Sequence, residues 1–188
     1  MELLFVIQED FINYRKPSMF IGFPKCSFKC NTDCQKEVCQ NYKLINNEKV
    51  NIDIDSLCKM YINNNITKAI VMGGLEPFDS PFDLVSIVDH IRNTYNCDDD
   101  IVIYTGYTFD ELDGLKIYGY SEYINRDKLH AVYNTLKQYK NIIIKAGRFI
   151  PGDKPHLDPI LGVNLASSNQ YAIKISWFKI WIILSHII

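Results

Sequence analysis

Six cysteines occur in the chain, and four of them lie in one short stretch, at Cys26, Cys30, Cys34 and Cys39. In a protein that keeps its cysteines reduced, thiols this close together indicate a metal centre rather than a disulfide framework. A structural zinc site usually takes its four ligands as two close pairs with a longer spacer, and this stretch lacks that pairing. The spacing therefore favours an iron–sulfur cluster, with each iron bound by one thiolate, and leaves zinc as the alternative.

The net charge and the N-terminal sequence argue against a nucleic-acid partner and against a secreted protein. The net charge is −2 and the lysines are spread along the chain, which argues against a nucleic-acid partner. Residues Met1–Ile7 lack the basic region of a signal peptide, so we expect a first strand there and a cytoplasmic location with reduced thiols. The two unclustered cysteines, Cys58 and Cys97, are not assigned as ligands, because a lone cysteine usually packs as a small apolar residue.

The length and apolar content predict one globular domain. The chain has 188 residues, of which 47% are hydrophobic, and no linker-like stretch divides it. We predict a domain over residues 1–176 and an apolar tail of unknown role over 177–188. This tail is shorter than the roughly 20 residues that cross a bilayer, so no membrane partner is expected.

Alternating strand and helix patterns position the cysteine stretch. The predicted strands are 19–23, 67–72, 101–105 and 142–145. The predicted amphipathic helices are 54–63, 81–95 and 126–140. Asp79 or Ser80 is the predicted cap of the second helix, and residues 152–165 are predicted as a loop. The alternation predicts an α/β fold with a mostly parallel sheet, in which the cysteines, Gly73–Gly74 and Gly106 share the edge formed by the carboxyl ends of the strands.

The residues around the cysteines resemble a known cluster loop. The run Phe23–Cys30, with Cys39-Gln40-Asn41 downstream, is similar to the loop of radical S-adenosylmethionine enzymes, most of all to the activating proteins of anaerobic ribonucleotide reductase. That family has the pattern Cys-x-x-x-Cys-x-x-Cys, with Asn two residues after the third cysteine. The gap after Cys30 is longer here, which makes Cys34 a rival third ligand, but Asn41 completes the match for Cys39. The resemblance implies a 4Fe–4S cluster bound by Cys26, Cys30 and Cys39.

Further motifs resemble the same family in the same order across most of residues 19–176. Gly74-Leu75-Glu76-Pro77 is similar to the Gly-Gly-Glu-Pro motif that holds the amino group of S-adenosylmethionine, and Tyr104-Thr105-Gly106-Tyr107 resembles a later motif. Gly147-Arg148-Phe149 and Ser167–Gln170 resemble the last two, although Lys145-Ala146 replaces the acidic residue that commonly precedes Gly-Arg-Phe. The cofactor-binding residues implied by the resemblance are Gly73, Gly74, Glu76, Pro77, Tyr104, Gly106 and Asn169. No catalytic side chain is assigned.

The resemblance implies a single-domain partial (β/α) barrel and a specific activity. It implies an oxidoreductase that reductively cleaves S-adenosylmethionine to a 5′-deoxyadenosyl radical and generates a glycyl radical on the large anaerobic ribonucleotide reductase subunit. An electron donor such as flavodoxin is the second implied partner. Two alternatives stay open: a radical S-adenosylmethionine reaction on another substrate, and a non-catalytic zinc-binding module.

Overall fold

The computed structural model describes residues 1–28, 30, 39, 41–114 and 120–175, with the backbone alone in 120–126. The strands are β1 Glu2–Leu3, β2 Phe5–Asp10, β3 Ser18–Phe23, β4 Val50–Asn51, β5 Ala69–Gly74, β6 Asp100–Tyr104, β7 Ile142–Ala146, β8 His156–Asp158, β9 Val163–Leu165 and β10 Tyr171–Ile175. The α-helices are α1 Ile54–Ile62, α2 Pro81–Asp89, α3 Phe109–Leu112 and α4 Tyr120–Leu136. The predicted tail 177–188 and Cys34 lie outside the described residues.

A six-stranded mixed sheet organises the chain, in the order β10-β7-β6-β5-β3-β2. Its four central strands are parallel and follow one another in chain order, which confirms the predicted α/β class. Strands β2 and β10 pair antiparallel at the two edges, an arrangement that the sequence did not predict. Within the described residues these edges do not pair with each other, so the sheet is open there.

The two faces of the sheet are covered differently. All four helices contribute to the core on one face, where buried side chains such as Leu57, Leu84 and Leu136 pack against the strands. The strand residues in that core are Leu3, Met19, Ile21, Phe23, Ile70, Met72, Ile101, Ile103, Ile142, Ile144, Ala146 and Ile175. Each fully buried aliphatic side chain contributes roughly 1.5–3 kcal/mol to folding. Tyr14, Leu161 and Leu165 pack on the other face. A cavity lies beside them at the carboxyl ends of the parallel strands.

Several predicted boundaries were wrong. The helix predicted over 81–95 is α-helical only to Asp89 and continues as a π-helical turn, because the Tyr95 N–H bonds to the carbonyl of His90, five residues back. The helix predicted over 126–140 begins at Tyr120 and ends at Leu136, after which the backbone bonds shorten to a three-residue spacing. The loop predicted over 152–165 contains the short antiparallel pair β8 and β9.

Gly74 is required where the end of β5 meets β3. The sequence predicted that Gly73–Gly74 would stop the strand, yet both glycines remain in β5. Gly74 has φ +84°, and a Cβ there would lie 2.9 Å from the Cα of Gly22 and 2.9 Å from the amide nitrogen of Phe23. A side chain at this position therefore meets both an unfavourable φ and backbone atoms that cannot move aside.

Substitution Gly74→Ala is expected to lower the free energy of unfolding by at least about 2 kcal/mol, because the backbone strain and the contact with β3 add together. Urea denaturation measures this change. Gly152→Ala is the matched control, since Gly152 has φ +81° with no atom within 4 Å of the added Cβ. It should show the smaller cost of the backbone alone. Equal losses in the two variants would contradict the role of the close approach.

Candidate functional site

The carboxyl ends of β3, β5, β6 and β7 surround a cavity of about 500 Å³. The sequence-predicted residues that line it are Cys26, Cys30, Cys39, Gly73, Gly74, Glu76, Tyr104 and Gly106. These positions are distributed over 81 residues of sequence and meet because parallel strands place their ends at one edge. The predicted shared edge is therefore confirmed for Cys26, Cys30 and Cys39 and for all three glycines.

Two predicted cofactor-binding residues lie outside the lining of this cavity. Pro77 is buried and begins the short 3₁₀ helix Pro77–Asp79. The Asn169 side chain is exposed; its Nδ2 donates to the carbonyl of Arg148 at 2.8 Å, and its Oδ1 accepts from the hydroxyl of Ser167 at 2.8 Å. Both residues support the backbone around the cavity, and their predicted contact with a cofactor stays a prediction.

Glu76 is the buried carboxylate of the cavity. Its Oε1 accepts from the Thr105 hydroxyl at 2.8 Å and from the Phe78 N–H at 3.1 Å, and its Oε2 accepts from the Gly106 N–H at 2.8 Å. Burial raises the pKa of Glu76 to about 7, although these donors favour the ionised form. The donors fix the orientation of a carboxylate that can accept a further hydrogen bond from an ammonium group in the cavity.

Lys145 places a buried ammonium in the same cavity. It lies opposite Tyr104 in the β6–β7 register, and its Nζ donates to the carbonyl of Gly147 at 3.2 Å. Burial lowers the pKa of Lys145 to about 8, and the charge of Glu76 partly opposes this shift. The cavity therefore holds one buried acid and one buried base that both carry a desolvation cost.

Substitution Lys145→Met is expected to raise the free energy of unfolding at pH 7 by about 2 kcal/mol, because the buried charge is removed. The Gly147 carbonyl keeps a donor, Nε2 of Gln170 at 3.1 Å. The folded protein releases the Lys145 proton near pH 8 and the unfolded chain near pH 10.5, so wild-type stability rises with pH between these values. The variant should lack that rise, and neither effect should follow Lys154→Met at an exposed site; urea denaturation at pH 7 and pH 9.5 tests both.

A bidentate ion pair with Glu111 holds Arg148 at the cavity. Its NH1 and NH2 groups donate to the two carboxylate oxygens of Glu111 at 2.7 and 2.9 Å, and both side chains are largely buried. Glu111 also accepts from the Thr108 N–H, which completes a capping box at the start of α3. The Arg148 guanidinium also lies 5.9 Å from the centre of the Tyr107 ring. This pair anchors the segment after β7 to the segment after β6.

Three cysteines that follow β3 in sequence, Cys26, Cys30 and Cys39, line the cavity. Burial raises the pKa of the Cys26 thiol to about 12, so this sulfur stays protonated unless a metal replaces its proton. The N–H of Phe28 donates to the Cys26 sulfur at 3.3 Å. Two residues after Cys39, the side chain of Asn41 donates to the carbonyl of Gly74 at 2.8 Å. This bond ties the segment that carries Cys39 to the end of β5.

The family of the chain follows from a comparison with protein-family models. Residues 18–140 match a family described as a 4Fe-4S single cluster domain, and this match spans more than half of the chain. The chain belongs to the 4Fe-4S single cluster domain family. It is therefore an iron–sulfur protein, and its cofactor is a 4Fe–4S cluster. No curated protein and no solved structure matches the chain.

In the part of the chain that the structure describes, no three His, Cys, Asp or Glu side chains form a group that could hold a single metal ion. Each thiolate of a 4Fe–4S cluster binds a different iron, so the ligands of such a cluster surround the cubane. The described helices include none that is long and apolar enough to cross a membrane.

Sequence reasoning missed Asp79 as a residue of this 4Fe-4S single cluster domain. Asp79 or Ser80 was predicted to cap α2; Ser80 occupies the cap position, and the Asp79 carboxylate bonds to Ser27 and Tyr107. Lys145 and Glu111 were also not assigned to the site. The only local signal for a role of Asp79 is that it closely follows the Gly-Leu-Glu-Pro motif. This position does not identify the distant residues to which Asp79 bonds.

Proposed function

We propose that this iron–sulfur protein binds its cluster through Cys26, Cys30 and Cys39 and reductively cleaves S-adenosylmethionine. One observation carries the proposal: the three thiols and the Glu76 carboxylate line one cavity at the ends of four parallel strands. The parallel strands succeed one another in chain order with the helices on one face, which supports the partial (β/α) barrel that the sequence resemblance implies. When bound, the cluster supplies the electron that breaks a carbon–sulfur bond of the sulfonium group.

The residues of the cavity suit the methionyl end of this ligand. The carboxylate of Glu76 accepts from the ammonium group, and its three protein donors hold it in place. The glycine backbone at Gly74 and Gly106 lets the ligand approach the strand ends closely. Arg148, fixed by Glu111, offers a cation to a carboxylate, as the resemblance of Gly147-Arg148-Phe149 also implies.

We further propose that the radical formed from S-adenosylmethionine generates a glycyl radical on the large anaerobic ribonucleotide reductase subunit. Exposed residues at the cavity, including Asn41, Asn164 and Ala166, indicate an opening to solvent through which a peptide loop of a partner can enter. The motif order along residues 19–176 supports this partner over a small molecule. An electron donor such as flavodoxin completes the proposed reaction.

Anaerobic purification and cluster reconstitution test the proposed function. We expect a brown protein with iron and sulfide that, with dithionite and S-adenosylmethionine, releases 5′-deoxyadenosine measurable by mass spectrometry. Addition of the large reductase subunit should then give a glycyl radical signal in electron paramagnetic resonance. A colourless protein with one zinc would overturn the proposal, and 5′-deoxyadenosine without a glycyl radical would favour another substrate.

A further inference from the structure

Asp79 connects the cysteine loop, at Ser27, to the segment that follows β6, at Tyr107. Its Oδ2 accepts from the Ser27 N–H at 2.5 Å, and its Oδ1 accepts from the Tyr107 hydroxyl at 2.7 Å. The Tyr107 hydroxyl also lies 3.4 Å from the Ser27 hydroxyl. Asp79 itself belongs to the short 3₁₀ helix that follows β5. A single half-buried carboxylate therefore joins segments that follow β3, β5 and β6.

The bond to Ser27 fixes the turn next to Cys26. Within this turn the Ser27 N–H points to Asp79, whereas the next N–H, that of Phe28, donates to the Cys26 sulfur at 3.3 Å. Phe28 has φ +53°, a conformation that a bulky residue adopts only when its surroundings hold it there. Asp79 therefore determines which backbone N–H groups face the sulfur, and it places a negative charge one residue from that ligand.

Both effects bear on the ease with which a bound cluster accepts an electron. The reduction potential of an iron–sulfur cluster depends on nearby charge and on hydrogen bonds to its sulfurs. A negative charge beside Cys26 opposes the addition of an electron, and a carboxylate that accepts the Ser27 N–H keeps this donor away from the cluster sulfurs. Both contributions act in the same direction, toward a lower potential.

We propose that Asp79 is a positioning residue that lowers the reduction potential of the cluster bound through Cys26, and so makes the reduced cluster a stronger electron donor. This inference rests on the ligand assignment of the proposed function. Helix capping does not account for Asp79, because Ser80 occupies the cap position and its side chain makes no capping hydrogen bond. The carboxylate bonds to the loop and to Tyr107 rather than to the backbone of α2.

The test is a redox titration of the reconstituted protein without S-adenosylmethionine, in which electron paramagnetic resonance measures the reduced cluster at each potential. At the midpoint potential of the wild type, we expect Asp79→Asn to raise the ratio of reduced to oxidised cluster at least about threefold. Asp83→Asn is the control: it removes a carboxylate from the first turn of α2, where Asp83 has no hydrogen bond to the described part of the cysteine loop. A ratio unchanged by Asp79→Asn, or raised equally by Asp83→Asn, would overturn the inference.

A second variant keeps the test decisive if Asp79→Asn fails to take up a cluster. Tyr107→Phe keeps the carboxylate but removes the hydroxyl that donates to it, so the charge is less neutralised and the ratio should fall at least about twofold. An unchanged or higher ratio in Tyr107→Phe would count against the inference.

Failure of the proposed function is seen separately, as a wild-type cluster that titrates normally but does not cleave S-adenosylmethionine. A wild type without iron would overturn both.

Discussion

Replacement of Cys39 by serine is expected to abolish cleavage of S-adenosylmethionine, with a loss of at least about 100-fold in 5′-deoxyadenosine formation. Cys39 lines the cavity together with Cys26 and Cys30, and the nearby bond between Asn41 and the carbonyl of Gly74 holds its segment against β5. A serine hydroxyl does not replace the thiolate as a ligand of a soft iron–sulfur centre. With the proposed third ligand removed, we expect the cluster to be lost or changed, so that no intact 4Fe–4S site delivers the electron.

The matched variant Cys34→Ser distinguishes the two candidates for the third ligand. We expect it to keep its iron, its sulfide and most of its activity, because the ligand assignment does not use Cys34. Cys97→Ser controls for the loss of a thiol away from the cavity, where Cys97 packs against the helix-covered core. Iron and sulfide analysis with the 5′-deoxyadenosine assay measures all three variants. Loss of the cluster in Cys34→Ser and its retention in Cys39→Ser would reverse the assignment.

Substitution Glu76→Gln is expected to weaken the binding of S-adenosylmethionine about 10- to 100-fold while the cluster content stays unchanged. The amide removes the negative charge that, in the proposed complex, accepts a hydrogen bond from the ammonium group. It also places an NH₂ group against at least one of the donors from Phe78, Thr105 and Gly106. Because the cysteine ligands are untouched, the visible absorption of the cluster should match that of the wild type. Anaerobic equilibrium dialysis measures the affinity directly.

The pH dependence of S-adenosylmethionine binding shows how much of the effect of Glu76→Gln comes from the lost charge rather than from the changed hydrogen bonds. Burial raises the pKa of Glu76 to about 7, so the ionised form that accepts from an ammonium group becomes dominant as the pH rises through 7. Wild-type affinity should therefore increase between pH 6 and pH 8, and the affinity of Glu76→Gln should not. Glu48→Gln, a substitution at an exposed position, is the control and should behave as the wild type does. A rise of equal size in Glu76→Gln would assign the pH dependence to another group.

The sequence predicted the central elements of the fold because their patterns are local. The apolar runs of β3, β5, β6 and β7 are visible as strands, and the helical periodicity of α1 placed its bounds within one residue. The edge strands were harder to predict. Exposure and burial do not alternate regularly along β10, which pairs antiparallel with β7, and no residue in its own sequence specifies which strand it joins. The α-helices α2 and α4 likewise end earlier than their side-chain patterns indicated, because the backbone hydrogen bonds change their spacing there.

The sequence by itself determined that the chain carries a metal-binding cysteine cluster at a strand end, because thiol spacing and strand patterns are written over a few neighbouring residues. Tertiary structure decided which partner each polar group of the cavity has. The bond from Ser27 to Asp79 spans 52 residues, and the bond from Thr105 to Glu76 spans 29. Lys145 is buried on β7, which pairs with β6 on one side and β10 on the other. Partners so far apart in sequence meet through the packing of parallel strand ends. This packing, rather than any local pattern, made Asp79, one of the two predicted helix caps, the residue that anchors the cysteine loop.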